Sequence, residues 1–133
     1  MSIQPTWDDD THTILRVIYE GDWTTAEFLA GFDDTKALIA GVDHPIVLIL
    51  DLTQSGNPPP RFFTLINFIQ RHEPQGVLQA LVVRGNSPFN AILDVLFRLV
   101  PGARQKLHFV DSLEAAHQIA YSLLEQAVDS AQP

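Results

Sequence analysis

Residues 45–71 read PIVLILDLTQSGNPPPRFFTLINFIQR, and this stretch decides the fold class of the chain. An apolar run at residues 46–50 ends in an acid at Asp51, a loop of glycine and prolines follows, and a helix-period segment begins near Arg61. Such an apolar run is typical of a strand buried on both faces of a parallel sheet. Open α/β sheets bind ligands and partners at the carboxyl ends of their strands. The stretch therefore predicts an α/β fold and a candidate site after Asp51.

The composition is that of an ordinary globular domain. The chain has 133 residues, of which 46% are hydrophobic and 18% charged, and this length is near the modal size of one domain. The N-terminus has neither a basic region nor an apolar run, so no secretory signal is expected. The apolar runs are too short for membrane insertion. We therefore expect a cytoplasmic protein.

Charge and cysteine content exclude several classes of function. The formal net charge of −8 argues against nucleic acid as a partner and against an anionic membrane surface. The chain contains no cysteine, which excludes disulfides, thiolate nucleophiles and cysteine metal sites.

Turn and cap signals divide the chain into nine elements in the order β-β-α-β-α-β-α-β-α. Strands are predicted at residues 3–7, 13–20, 46–52, 77–84 and 107–110, and the first two form a hairpin. A capping box of Thr24 and Glu27 opens the first helix, which stops at Gly41. The later helices are predicted at residues 60–72, 87–100 and 111–128, and the last opens on a similar pair, Asp111 and Glu114. We expect one domain over residues 1–133, a mostly parallel sheet of four or five strands, and a frayed tail at residues 129–133.

This order of elements resembles a known family. Together with the triplet Asp51-Leu52-Thr53 and the segment DSLEAA at residues 111–116, it is similar to the STAS domain, and in particular to the SpoIIAA-like families. The resemblance covers nearly the whole chain. It implies a non-enzymatic regulatory module that acts through protein contacts.

One functional motif of that family is missing. In the STAS antagonists of sigma-factor regulation, a phosphorylated serine starts the helix after this strand. The matching positions here are Pro59, Pro60 and Arg61, which have no hydroxyl group. A phosphoswitch needs a hydroxyl where the added charge meets the helix amides. The resemblance therefore implies partner binding without this switch, and nothing in the spacing marks Thr53 or Ser55 as its replacement.

Polar residues after two central strands form a candidate ligand site. Both segments lead into helix N-termini, whose free amides and dipole favour anions. A small anionic or amphipathic ligand is therefore an alternative to a protein partner. The opposing interpretation is that these residues only cap helices and form turns. The candidate ligand residues are Thr53, Ser55, Arg61, Arg84, Asn86 and Ser87.

The helices predicted at residues 60–72 and 87–100 are unusually apolar. Their apolar residues cover more of the circumference than one buried face needs. The excess predicts an exposed interface for a protein partner or a second copy of the chain. The alternative, equally favoured by the sequence, is that the chain buries these residues itself. The candidate interface residues are Phe62, Phe63, Ile66, Phe89, Leu93 and Phe97.

The sequence shows no catalytic or metal-binding motif. The five histidines have no metal-ligand spacing, and His117 is expected to pack on the apolar side of the last helix. Asp51 could act as a base, but an acid at a strand end more often bonds the next loop. We therefore expect no enzyme, cofactor or metal.

Overall fold

A computed structural model describes residues 2–72, 74–85, 89–99 and 107–131, and it confirms the predicted order of elements. The strands are β1 (Ile3–Trp7), β2 (Ile14–Gly21), β3 (Ile46–Ser55), β4 (Val77–Val83) and β5 (Leu107–Val110). The helices are α1 (Thr25–Ala40), α2 (Phe62–Arg71), α3 (Phe89–Leu99) and α4 (Leu113–Ala131). In these ranges no helix combines the length and apolarity that crossing a membrane requires.

The strands form one mixed sheet in the order β1-β2-β3-β4-β5. β1 and β2 are an antiparallel hairpin, and every later neighbour is parallel. Each crossover advances by one strand in the same direction. Right-handed crossovers therefore place α1, α2 and α3 on the same face of the sheet. α4 follows β5 and packs on the opposite face over β3, β4 and β5.

A separate hydrophobic cluster lies on each face of the sheet. On one face, Phe28 of α1, Phe62 of α2 and Leu93 of α3 belong to a single buried cluster with strand residues such as Leu52. On the other face, α4 contributes Ala116 and Ala120, both fully buried against Val47, Ile49, Leu81 and Val83. Small alanine side chains allow the helix to lie close to the sheet. β3 and β4 are therefore covered on both faces, as their apolar sequences predict.

Most predicted boundaries agree with the structure to within two residues. The capping box of α1 is confirmed, because Thr24 accepts a hydrogen bond from the amide of Glu27 and the Glu27 carboxylate accepts one from the amide of Thr24. β3 continues to Ser55, three residues past its predicted end at Leu52. Its last residues pair with the end of β2, and a single strand read alone does not reveal that pairing.

The start and end of α4 correct two predictions. The prediction that Asp111 and Glu114 cap this helix is wrong. The hydroxyl of Ser112 accepts the capping hydrogen bond from the amide of Ala115 at 3.1 Å. The helix continues to Ala131, three residues past its predicted end at Val128.

Candidate functional site at the carboxyl edge of the sheet

The end of β3 and the loop that follows it are fixed to the loop after β2 by side-chain hydrogen bonds. The indole Nε1 of Trp23 donates to the hydroxyl of Ser55 at 3.1 Å. The amide of Asn57 donates to Oδ1 of Asp22 at 2.7 Å. Both bonds join residues far apart in the sequence. These bonds therefore fix the segment before α2 relative to the loop after β2.

Asp51 is a buried carboxylate with a complete set of partners. It is 2% exposed. Its Oδ2 accepts from Nε and Nη2 of Arg16 at 3.0 and 2.6 Å, and its Oδ1 accepts from the amide and hydroxyl of Thr53 at 3.0 and 2.6 Å. Burial raises the pKa of Asp51, but the hydrogen bonds from Thr53 and Arg16 outweigh it and lower the pKa below its usual value. This arrangement stabilises a charged acid and leaves it a poor proton acceptor.

Thr53 and Ser55 use their hydroxyl groups within the chain. The Thr53 hydroxyl donates to Asp51. Ser55 is 6% exposed, and its hydroxyl accepts from Trp23 and donates to the carbonyl of Gly56 at 3.1 Å. Both hydroxyl groups therefore donate their hydrogens to acceptors within the chain. The structure therefore places these two predicted ligand residues in structural roles.

Arg84 lies at the end of β4 on the face covered by α1, α2 and α3. Its guanidinium carbon is 4.5 Å from the centre of the Phe109 ring, and its Nη1 is 3.9 Å from Oδ1 of Asp94. In the described part of the chain, Arg84 Nε is a buried side-chain nitrogen without a hydrogen-bond partner. The Thr53 hydroxyl bonds Asp51, whose side chain lies on the α4 face. The side chains of Thr53 and Arg84 therefore point to opposite faces of the sheet.

The backbones of the two central strands do meet at this edge, as predicted. A Cβ added to Gly85 would lie 2.4 Å from the carbonyl oxygen of Leu52. Arg61 is exposed, and its carbonyl accepts from the amide of Thr64 at 3.1 Å at the start of α2. The predicted ligand residues Asn86 and Ser87 lie outside the described residues. Binding of an anion at this edge stays a prediction.

The interface prediction is corrected at two of its six residues. Phe62 and Leu93 are 6% and 5% exposed and pack in the core, so their side chains are not available to a partner. The side chains of the other four, Phe63, Ile66, Phe89 and Phe97, lie outside the described part of the structure. Val95 of α3 is 42% exposed. The α2–α3 interface therefore stays a prediction for the remaining residues.

Sequence reasoning missed a polar network that joins the hairpin to α4. Nε2 of His117 is 2.5 Å from Oδ2 of Asp8, and Nη1 of Arg16 is 3.9 Å from Oδ1 of the same aspartate. Arg16 then connects to Asp51. The hydrogen-bond partner of His117 is 109 residues away, and no local pattern in the sequence points to it. Across the ranges that the structure covers, no group of three or more acids and histidines could hold a metal ion.

Comparison with known proteins identifies the fold. No protein-family model matches the chain, and no curated protein matches it. Among solved structures, the chain is similar to an uncharacterized protein of the DUF3478 family with a SpoIIAA-like fold from Shewanella loihica PV-4. The two share 16% identity with a TM-score of 0.57, and the match covers 89% of this chain and 90% of that one. The chain therefore has a SpoIIAA-like fold, as its resemblance to the STAS domain implied.

Proposed function

We propose that this chain is a non-enzymatic regulatory module that binds a protein partner without a phosphoswitch. The proposal rests on the residues that precede α2. Pro59 is buried and Pro60 exposed at the positions where the STAS antagonists carry their phosphorylated serine, and proline has no hydroxyl. The hydroxyls of Thr53 and Ser55, which precede this point, are bonded inside the chain.

The state of Asp51 supports a role other than catalysis. A general base needs an accessible carboxylate that can take a proton near its working pH. Asp51 is buried, paired with Arg16 and held charged by a lowered pKa. The acid best placed for chemistry at this edge is therefore already used by the fold.

The exposed side of α2 is the surface we assign to the partner. Arg61, Thr64, Asn67 and Arg71 are exposed along it, and residues 61–71 contain no acid. The chain has only eight lysines and arginines, and two of them lie on this helix or at its start. A basic surface on an acidic protein attracts an acidic patch and disfavours self-pairing through the same surface. We therefore assign an acidic protein surface as the partner.

Affinity capture from a lysate of the source organism with three versions of the chain tests this assignment. The α2 variant carries Arg61→Gln and Arg71→Gln. The control carries Gln118→Glu and Gln126→Glu, two exposed positions on α4. Each pair changes the net charge by the same amount. We expect a partner that the wild type and the control retain and that the α2 variant loses by about tenfold or more. Capture of no specific protein, or equal loss by both variants, would contradict the proposal.

A small anion beside Arg84 is the second candidate function. The buried Nε, which has no hydrogen-bond partner among the described residues, and the stacked guanidinium favour it, because an unsatisfied buried donor costs free energy that an anion can recover. The carboxylate of Asp94 lies 3.9 Å from Nη1 of Arg84 and would repel a bound anion. We therefore place this function second. Thermal unfolding with about 10 mM inorganic phosphate tests it. We expect stabilisation in the wild type and in Arg98→Gln, and none in Arg84→Gln. No stabilisation of the wild type argues against the site.

A further inference from the structure

The free edge of β1 presents a defined set of backbone groups. β1 lies at one end of the sheet order and pairs only with β2 among the strands that the structure describes. The amide of Glu20 donates to the carbonyl of Ser2 at 2.7 Å, and the amide of Asp8 donates to the carbonyl of Ile14 at 2.9 Å. In an antiparallel ladder, alternate residues turn their backbone groups toward the partner strand. The even-numbered residues of β1 therefore face β2.

The odd-numbered residues, Ile3, Pro5 and Trp7, turn their backbone groups to the open side. Proline has no N–H, so this edge offers three carbonyl oxygens and two N–H groups. The central position of the edge can therefore accept a hydrogen bond but cannot donate one. An added strand would have to supply the donor there.

A groove follows this same edge. Its volume is about 640 Å³, and it is lined by residues 3–6 of β1, by Ile18 of β2, and by Asp34, Ala37 and Leu38 of α1. The groove therefore runs along β1, with α1 as a wall on one side. A sixth strand added to β1 would lie beside this wall.

The residues that line the groove indicate what kind of segment can bind there. Asp34 is exposed and is the charged residue of the lining, while Pro5, Ile18, Ala37 and Leu38 are apolar. The chain as a whole has a net charge of −8. We propose that an extended peptide segment of a partner, with basic and aliphatic residues in alternation, adds to β1 as a sixth strand and pairs a basic side chain with Asp34. Strand addition of this kind takes its affinity from main-chain hydrogen bonds and its specificity from alternate side chains.

This surface is separate from the exposed side of α2, so the inference does not depend on the proposed function. The probe is the peptide acetyl-(Lys-Val)3-amide, followed by nuclear magnetic resonance of the labelled protein. We expect binding that shifts the amide signals of Ile3 and Trp7. Shifts confined to α2 and α3, or no binding at millimolar peptide, would overturn the proposal.

Backbone methylation of the peptide separates strand addition from simple charge attraction. Two peptides are made with N-methyl groups on either alternate set of residues, so that charge and apolar content match. Methyl groups on the set that faces β1 remove the donors, and we expect that peptide to bind at least about tenfold more weakly than its counterpart. Equal affinities for the two peptides would rule out strand addition.

Neighbouring acids on α1 supply a matched pair of protein variants. Asp33 and Asp34 are both exposed, and Asp34 alone lines the groove. We expect Asp34→Asn to weaken binding of the lysine peptide about threefold, the size of an exposed ion pair, and Asp33→Asn to leave it unchanged. Equal weakening by both variants would show that the peptide responds only to net charge and would overturn the assignment of the groove.

Discussion

At the scale of single residues, Asp51 shows how a buried acid can serve the fold. It lies within β3, four residues before the strand ends at Ser55, near the edge where ligands are usually bound. Two donors come from Arg16 on the neighbouring strand and two from Thr53, two residues further along β3. These partners offset the cost of burying a carboxylate, which is large for an unpaired charge. Asp51 therefore joins β2 to β3 through their side chains.

Replacement of Asp51 by asparagine should reduce stability in a pH-dependent way. The folded-state pKa of Asp51 is lowered, so its charged form stabilises the fold above the ordinary aspartate pKa of about 3.9 and this contribution is lost as the pH falls through the folded value. We expect Asp51→Asn to lower the free energy of unfolding at neutral pH by about 2 to 3 kcal/mol. The difference from wild type should shrink in strong acid.

Urea unfolding of both proteins at neutral and strongly acidic pH measures this effect. The control is Asp10→Asn, at an exposed position in the hairpin turn, which should change stability by less than about 0.5 kcal/mol. A difference between Asp51→Asn and wild type that is the same at both pH values would contradict the role given to the charge.

At the scale of elements, the sequence predicted correctly those helix starts and strand bounds that depend on residues close together in the chain. Thr24 and Glu27 form the predicted capping box, since both partners lie within one helical turn. The bounds of β1 and β5 also agree with the prediction. The cap of α4 was misplaced by one residue because Asp111 and Ser112 are both good capping residues, and the backbone path decides between them.

The candidate site could be predicted only in part. Parallel topology brings the ends of β3 and β4 to one edge, and Gly85 does lie against Leu52 there. The direction of each side chain depends on strand register, in which a shift of one residue reverses the face. The sequence does not reveal that register. Thr53 and Arg84 were therefore assigned to one site although they lie on opposite faces.

The contact of Gly85 with β3 gives a prediction for the packing of elements. An alanine Cβ would lie 2.4 Å from the Leu52 carbonyl oxygen, a backbone atom that cannot rotate away. We expect Gly85→Ala to lower the free energy of unfolding by about 2 kcal/mol or more, as in other overpacked sites. Gly41→Ala is the control, because its nearest atom would lie at 3.4 Å. Equal denaturation midpoints for the two variants would contradict the close approach.

At the scale of the whole molecule, the two faces of the sheet are covered unequally. Three helices pack on one face, whereas α4 covers β3, β4 and β5 on the other. Gln4 and Thr6 of β1 are exposed. The contact between Nε2 of His117 and Oδ2 of Asp8 is a polar link from α4 to the hairpin. The hairpin should therefore open more readily than the centre of the sheet.

Hydrogen exchange of wild type and His117→Ala tests this distribution of stability. We expect β3 and β4 to exchange most slowly, since both have two neighbouring strands and two covered faces. The substitution should speed exchange in the hairpin about fivefold and change β4 little, because it removes a contact worth about 1 kcal/mol. Gln118→Ala, at an exposed position, is the control. An equal increase throughout the sheet would show that His117 stabilises the molecule globally.

The long separation between Asp8 and His117 also has a consequence for synthesis. The two residues are 109 positions apart, and α4 supplies the cover for one face of the central strands. Ribosomes synthesise about 5 to 20 residues per second, so the hairpin is made roughly 5 to 20 seconds before His117, which contacts it through Asp8. Until α4 emerges, the apolar residues that it covers on β3 and β4 have no helix against them. The nascent chain therefore passes through an interval in which a chaperone can bind a surface that the finished protein conceals.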